Sequence, residues 1–375
     1  MTRRDFTIND WGKTDADYDF FKVSREILPA ADGWQTKDMT GDPHVYEWWY
    51  SDVQLSDGTA ITCTVSPQSS LGFVPRFEKK PLAHARIELN EKGVQRNAIA
   101  LFPLEEFKGA TDHCDVSAGP VTMRGDLRTW KVKGEIDGIG IDLTFEQRAT
   151  PFRPGSGYQF LDGTDRFTGW FCSFPSAKVT GTLTVDGKTR DVEGTGYHDH
   201  NYGNPTLPEA ESGWFWARPA LGRYVALAVK FEFWANRSAP LLWIYDLEEQ
   251  RELVRATSYD DVTLTIGRFV EHPDPLHGGA YPSLTVYDYR KGDDSARIRF
   301  DDSRIEAGYF LYDIGNPDNQ KFYKSIDSNG SYYSRRESTA ELLLDMPSIG
   351  LKDKVTGPSL HEFQEFYFPQ FLAPR

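Results

Sequence analysis

This 375-residue sequence lacks long apolar runs: no window offers the ~18 consecutive apolar residues of a membrane-spanning helix. Its start, "MTRRDFTINDWGKTD", has basic residues but no apolar stretch behind them, as a signal peptide would require. We therefore expect no stable membrane insertion. The same features predict a cytoplasmic protein, or a secreted one if a leader has been removed from the chain.

Basic residues are also in short supply, with 42 Lys and Arg against 56 Asp and Glu, for a formal net charge of −14. Such a chain repels phosphate backbones, so nucleic acid is excluded as a partner. Only three cysteines occur, Cys63, Cys114 and Cys172, and they form no CxxC pair. We interpret them as buried thiols without a redox or metal role.

Several catalytic signatures are absent as well. The sequence has no GxGxxG after a strand, no phosphate loop, no GxSxG elbow and no HExxH. Nucleotide chemistry and serine hydrolysis therefore lose their support. Aromatic residues are abundant instead, at 14% of the chain, and they can line a cavity for a hydrophobic small molecule.

Alternation of apolar and polar residues dominates the chain. "IGIDLTFEQ" (139–147) and "YVALAVKFEF" (224–233) each read as a half-buried antiparallel strand. The dipeptides at 57–58, 137–138, 186–187 and 329–330 are Asp-Gly or Asn-Gly and suit tight hairpins. Helical periodicity is confined to short segments, 207–213 and 339–346 being the best. The pattern predicts an all-β fold of closed barrels.

A weak internal echo divides the chain. "EWWYSDVQLSDGTAITCTV" at 47–65 resembles "GWFWARPALGRYVALAVKF" at 213–231, since each has close tryptophans, a turn and an alternating strand. We therefore predict two similar barrels, at 41–204 and 205–375, with residues 1–40 as an N-terminal surface segment.

The densest cluster of reactive side chains is "GTGYHDHNYGN" at 194–204. On a strand, Tyr197, Asp199 and Asn201 share one face, and His198 and His200 share the other. The histidine pair suits a metal but lacks a third ligand, so we predict no metal site. Asp199 can donate a proton near neutrality if its pKa rises by about 3 units from ~3.9, with Tyr197 placed to assist. The alternative is that Asp199 and Asn201 only hydrogen-bond the main chain at a domain corner.

Tryptophans cluster in three further motifs, "HVYEWWYSD" (44–52), "FTGWFCSFPSAKV" (167–179) and "GWFWARP" (213–219). Each motif taken alone suits core packing, whereas together they can form an aromatic wall. Indole faces stabilise a passing cation by roughly 1–2 kcal/mol per desolvated contact. The residues assigned to substrate binding are Trp48, Trp49, Tyr50, Trp214 and Trp216.

These motifs together resemble the family of carotenoid hydratases (hydroxyneurosporene synthases) and kievitone hydratase, over about residues 44–375. The resemblance implies an AttH-like fold of two consecutive lipocalin-like antiparallel barrels packed against each other. It further implies functional roles for Tyr197, Asp199 and Trp170. A family histidine two residues before the tryptophan is replaced here by Thr168.

What the resemblance implies is a cofactor-independent hydratase, a hydro-lyase that adds water to an isoprenoid double bond, prenyl or terpenoid. Such a reaction needs an acid, an aromatic enclosure for a tertiary carbocation and one water. The predicted catalytic residues are Asp199 as general acid, Tyr197 as its orienting partner, and Trp170, with Trp48 or Trp214, as cation-facing walls. The supporting residues are Glu47, His198, His200 and Asn201, with the histidine pair on the outward or supporting face.

Two other functions remain open. The first is a cofactorless cyclase, isomerase or pericyclase, in which Asp199 only hydrogen-bonds a folded polyene. The second is a non-catalytic lipocalin-like carrier. Both use the same hydrophobic small molecule as partner, and the sequence leaves the substrate and the oligomeric state open.

Overall fold

The computed structural model of the chain describes residues 11–42, 44–68, 82–91, 94–160, 166–205, 210–233, 237–271, 280–301, 308–309 and 331–366. They form an all-β fold with two antiparallel sheets, as predicted. The chain divides into two compact units, Met1–Ala210 and Glu211–Arg375. Within the described ranges, no helix combines the length and apolar character needed to cross a bilayer.

The first unit is built mainly of strands. Its elements are the helix α1 (Asp15–Phe21), the 3-10 helices Pro29–Asp32, Lys37–Met39 and Leu104–Glu106, and the strands β1 (Tyr46–Leu55), β2 (Ala60–Gln68), β3 (Leu82–Glu91), β4 (Val94–Pro103), β5 (Lys108–Gly109), β6 (Cys114–Ala118), β7 (Val121–Gly125), β8 (Thr129–Ile136), β9 (Ile139–Gln147), β10 (Tyr158–Phe160), β11 (Phe167–Val185) and β12 (Lys188–Asn204).

The second unit contains strands and one short 3-10 helix among its described residues. Its elements are the strands β13 (Glu211–Leu221), β14 (Tyr224–Phe233), β15 (Arg237–Asp246), β16 (Arg251–Ala256), β17 (Val262–Glu271), β18 (Ala280–Lys291), β19 (Asp294–Asp301), β20 (Gly308–Tyr309), β21 (Ser331–Met346) and β22 (Leu351–Phe366), and the 3-10 helix Pro347–Ile349.

The two sheets share one strand order. The first runs β4-β3-β2-β1-β12-β11-β9-β8-β7-β6-β5, and the second runs β16-β15-β14-β13-β22-β21-β19-β18-β17. In each sheet the first four strands form a meander, and the first strand of that meander pairs with the last long strand of the unit, β1 with β12 and β13 with β22. The sequence echo falls on equivalent hairpins, β1–β2 and β13–β14, which explains why the two segments look alike.

The tight turns follow the predicted dipeptides. Asp137-Gly138 joins β8 to β9 and Asp186-Gly187 joins β11 to β12, and all four residues have positive φ. Two successive positive φ values define the turn whose twist matches a β-hairpin. Gly58, in the β1–β2 turn, also has a positive φ, while the predicted turn at 329–330 lies outside the described residues.

The core of the first unit is made by alternating residues of its sheet. The predicted face of β9, namely Ile139, Ile141, Leu143 and Phe145, lies entirely within that core. In β14 the alternation also holds, but the strand is buried on both faces, because Tyr224, Ala226 and Ala228 face the core of the second unit while Val225, Leu227 and Val229 are buried on the opposite face. The prediction of a half-buried strand is therefore wrong for β14.

The helix predicted at 339–346 is also wrong, because these residues belong to strand β21. Ala340, Leu342, Leu344 and Met346 alternate into the core of the second unit. Of the other helical segment, residues 207–209 lie outside the described residues and 211–213 begin β13.

The N-terminal segment, predicted to lie on the surface over residues 1–40, also contributes buried side chains in its described part. Trp11, Asp32 and Thr36 are almost completely buried. Helix α1 begins with a capping box between Thr14 and Asp17, which satisfies main-chain donors at its start. Beyond it, Asp32 and Thr36 reach side chains of the β1–β12 pair, as described below.

Candidate active site

The two faces of β12 around residues 197–201 are separated as the alternation predicts. Strand β1 pairs with β12, with Trp48 opposite Asn201, Tyr50 opposite Asp199 and Asp52 opposite Tyr197. Directly opposite residues of an antiparallel pair lie on the same face of the sheet. One face therefore carries Tyr197, Asp199 and Asn201 beside Trp48 and Tyr50.

Asp199 is buried and accepts hydrogen bonds from the side chains of Trp170, Tyr197 and Asn201. Its Oδ2 accepts from Trp170 Nε1 at 2.9 Å and from the Tyr197 hydroxyl at 2.7 Å. Its Oδ1 accepts from Asn201 Nδ2 at 2.9 Å. The structure thus brings the three predicted catalytic residues into direct contact, and it places Asn201 in contact with Asp199 as well.

Tyr197 is a buried phenol that serves as a hydrogen-bond donor. Burial and the neighbouring Asp199, together with Cys172, raise the pKa of Tyr197 well above its ordinary value. The hydroxyl therefore stays protonated near neutral pH and donates to Asp199. The sequence pattern does not predict the contact of Cys172 with Tyr197, although Cys172 lies two residues after Trp170 on the same strand.

Trp170 contacts Asp199 through its indole N–H, which adds a second function to the predicted cation-facing wall. Its ring lies beside Trp11, at 6.3 Å between centroids, and beside Phe152, at 5.9 Å. Tyr50 lies 6.3 Å from Tyr197, again between ring centroids. Further aromatic rings therefore lie beside both aromatic donors to Asp199.

The predicted substrate-binding tryptophans divide between different environments. Trp48 is partly buried and stacks on Tyr46 at 5.3 Å. Trp49 is fully buried in the core of the first unit, because its side chain points to the face opposite Trp48 and Tyr50. The structure therefore places Trp49 apart from the face of Asp199, and its role in substrate binding stays a prediction.

Trp214 and Trp216 lie on β13 of the second unit. They alternate with Phe215 and Ala217, which belong to hydrophobic clusters of that unit. Their role in substrate binding stays a prediction.

The histidine pair points inward, so of the two expected placements the outward face is wrong and the supporting role stays a prediction. His198 is fully buried, stacks on the core residue Trp130 at 4.0 Å, and pairs with Asp32. His200 stacks on Trp49 at 4.3 Å and pairs with Glu47. Alternation assigned the two histidines to one face, but it does not say which face of a sheet turns toward the core.

Asp32, the partner of His198, is not predicted by the sequence pattern. Its segment shows no strand period, so no local signal marks it as a neighbour of β12. Asp32 Oδ2 accepts a hydrogen bond from Ser173 at 3.1 Å and lies 3.0 Å from His198 Nε2. The pairing depends on tertiary contact between the N-terminal segment and the sheet.

Among the described residues, one group combines three residue types that bind metals: Asp32, Cys114 and His198, with ligand atoms within 4.8 Å of one another. Burial raises the pKa of Cys114 well above its ordinary value, so its sulfur stays protonated. That sulfur accepts a hydrogen bond from Trp130 Nε1 at 3.2 Å. A metal binds the thiolate, and these contacts describe a hydrogen-bonded core network better than a ligand set.

Comparison with known proteins supplies relatives for this arrangement. The AttH-like family model matches residues 36–223, just over half of the chain. Hydroxyneurosporene dehydrogenase of Chlorobaculum tepidum is 28% identical over 162 residues, which cover 37% of this chain and 41% of that protein. The match therefore spans less than half the length of that relative.

Two solved structures resemble the whole chain. An AttH protein from Nitrosomonas europaea has a TM-score of 0.60 at 16% identity, covering 91% of this chain and 96% of that one. Kievitone hydratase from Nectria haematococca has a TM-score of 0.54 at 14% identity, covering 96% of this chain and 98% of that one. At such identities the likeness is evidence of a shared fold.

Proposed function

The chain belongs to the AttH-like family, and from that premise we propose that it is a hydratase that adds water to an isoprenoid carbon–carbon double bond. The observation that carries the proposal is the buried Asp199 carboxyl, held by the hydrogen bonds of Trp170, Tyr197 and Asn201. The name of kievitone hydratase supports this class of chemistry, and hydroxyneurosporene in the name of the other relative supports an isoprenoid substrate.

The first step is proton transfer from neutral Asp199 to the less substituted alkene carbon. The π electrons form the new C–H bond, and a tertiary carbocation and an Asp199 carboxylate result. The N–H of Trp170 and the O–H of Tyr197 both point at Oδ2 of that carboxylate. Hydrogen bonds to an ionised acceptor are stronger than those to a neutral one, so they stabilise the charge that the step creates.

The second step is attack of a water oxygen on the cation, with transfer of a water proton back to Asp199. The product is a tertiary alcohol, and Asp199 is neutral again. Burial favours the neutral carboxyl and the three donors favour the carboxylate. Burial thus favours the form that gives the proton, and the donors favour the form that takes it back.

Aromatic rings supply the surroundings that a carbocation needs. Indole and phenol faces attract a cation without adding to it as a nucleophile would. Trp170 donates to the carboxyl, Tyr50 lies opposite Asp199 on β1, and Trp48 lies on the same face. No step of this mechanism requires a cofactor.

The test is incubation of the purified protein with prenylated phenols and acyclic carotenoids in heavy-oxygen water, followed by mass spectrometry. Hydration places solvent oxygen in a tertiary alcohol product. An isomer of the substrate without solvent oxygen would instead indicate a cyclase or isomerase. Binding without any product would indicate a carrier, and either result would contradict the proposal.

A further inference from the structure

The strand that carries Asp199 is held from its inner face by two buried pairs of side chains. His198 and His200, the residues on either side of Asp199, both have completely buried side chains. Each is stacked on a core tryptophan, Trp130 or Trp49. The main chain on both sides of the proposed acid is therefore fixed by residues that take no part in the chemistry.

The first pair joins His198 to Asp32. His198 Nδ1 lies 2.7 Å from the main-chain oxygen of Tyr50, the residue opposite Asp199, and Nε2 lies 3.0 Å from Asp32 Oδ2. The Asp32 main-chain oxygen accepts a hydrogen bond from Trp49 Nε1 at 2.9 Å. Asp32 is thus tied to β1 and β12 at once.

The second pair joins His200 to Glu47. His200 Nε2 lies 2.7 Å from Glu47 Oε1. The Glu47 carboxylate also accepts from the main-chain N–H of Gln35 and Thr36, each at 2.8 Å, and from the Thr36 hydroxyl at 2.5 Å. The segment that contains Asp32 therefore holds this pair as well.

Each of the two imidazoles lies between a main-chain oxygen and a carboxyl oxygen. A main-chain oxygen can only accept, so His198 Nδ1 must donate to Tyr50, and the contact with Asp32 needs one further proton. His200 is bound in the same way, between Glu47 and the Ala31 oxygen at 3.4 Å. In each pair a carboxyl group lies beside an imidazole, so neither buried side chain is left without a partner. An unpaired buried ion is far more costly.

From this geometry we infer that Asp32 and Glu47 are positioning residues for Asp199. They fix the two imidazoles, and the imidazoles fix the main chain from which the Asp199 carboxyl reaches Trp170 and Tyr197. The inference rests on the proposed function only in naming Asp199 as the acid. A misplacement of about 1 Å can cost ~100-fold in rate, so this support has a direct consequence for turnover.

The experiment uses the indole N–H signals in a nitrogen-15 correlation spectrum of the full chain. The Trp170 signal is assigned by its loss in Trp170→Phe, and Asp199→Asn shows where it moves when the carboxylate is removed. We expect Asp32→Ala to move the Trp170 signal toward its Asp199→Asn position. Asp32→Asn, which keeps the shape but cannot hold the shared proton in the same way, is expected to move it less.

Two control variants separate this effect from general perturbation. Asp38→Asn changes an exposed aspartate in the same segment, and Glu252→Gln removes the carboxylate that accepts from Trp243 Nε1 at 2.7 Å in the second unit. Neither should move the Trp170 signal, while Glu252→Gln should move that of Trp243.

A folded Asp32→Ala protein with an unmoved Trp170 signal would overturn the inference. If Asp32→Ala does not fold, Asp32→Asn is measured in its place: a smaller shift in the same direction supports the inference, and an unmoved Trp170 signal overturns it. Once a substrate is known, the positioning role also predicts a kcat lower by about 10- to 100-fold in Asp32→Ala, with KM within about twofold. The spectrum does not depend on turnover, so failure of the proposed hydratase activity would leave this result readable.

Discussion

The hydroxyl of Tyr197 offers the cleanest perturbation of the site, because Tyr197→Phe removes one oxygen from a fully buried ring and leaves its volume almost unchanged. The lost hydrogen bond is the 2.7 Å contact with Asp199 Oδ2. In the proposed reaction this bond is made to a neutral carboxyl before proton transfer and to a carboxylate after it.

The size of the effect follows from that change of charge. A neutral hydrogen bond contributes about 0.5–1.5 kcal/mol and one to a charged group about 1.5–3 kcal/mol. Only the difference, about 1–1.5 kcal/mol, affects the chemical step, since the rate depends on stabilisation gained in the transition state. Tyr197→Phe should therefore lower kcat by about 5- to 13-fold, and lower the free energy of unfolding by about 1 kcal/mol.

The assay compares kcat on the substrate found in heavy-oxygen water with the unfolding midpoint in urea for the same preparation. Because the pKa of Tyr197 is raised well above its ordinary value, the wild-type phenol stays protonated and adds no limb of its own to the pH profile near neutrality. An unchanged kcat together with a lower free energy of unfolding would refute the reasoning, since the bond would then not strengthen during the reaction.

Three further variants test other parts of the structure. Trp170→Phe should lower kcat by a similar factor, because Asp199 loses the indole N–H donor. It should also lower the free energy of unfolding by about 2 kcal/mol more than Tyr197→Phe does, because the smaller ring leaves a cavity. An unchanged kcat would argue against a role for the indole N–H. Burial, with a smaller contribution from Arg86, lowers the pKa of His84 to about 3. Below about pH 6.5 the unfolded chain therefore binds one proton more than the folded one, and the free energy of unfolding falls with falling pH by at most about 1.4 kcal/mol per pH unit. His84→Gln should flatten that slope in urea titrations between pH 7 and 4, and an unaltered slope would contradict the lowered pKa of His84. Burial alone would raise the pKa of Asp246, but hydrogen bonds from the Arg223 guanidinium and from main-chain N–H groups leave it below its usual 3.8. Asp246→Asn should therefore cost about 1–3 kcal/mol near neutral pH, with the difference from wild type shrinking as the pH falls below about 4, whereas a constant difference would show that the charge of Asp246 does not matter.

The alternation of side chains along a strand predicts a large part of the candidate site. Because a strand repeats every two residues, the alternation alone placed Tyr197, Asp199 and Asn201 together. The hairpin turns at 137–138 and 186–187 were equally local, since Asp-Gly tolerates two positive φ values. The contact of Trp170 with Asp199 depends on the register between β11 and β12, which places Trp170 opposite Asn201. Alternation within one strand does not predict that register, and Trp170 was assigned to the site by the family resemblance.

The same period does not tell which face of a sheet turns inward. Alternation leaves an outward and a supporting face both open for His198 and His200, and only their complete burial excludes the outward one. Nor does alternation predict that Trp49 lies in the core. Asp32 was missed for a different reason, because it lies in a segment without any strand period. Its place beside His198 is a long-range contact that no local pattern encodes.

The central claim, that Asp199 protonates the substrate, is tested most directly by the rate at which Asp199→Asn incorporates solvent oxygen into product. The matched control is Asp191→Asn, an exposed aspartate on the same strand β12. General acid catalysis contributes about 100- to 10,000-fold, so the account predicts a loss of that size in Asp199→Asn and wild-type turnover in Asp191→Asn. Full turnover by a folded Asp199→Asn protein would contradict it.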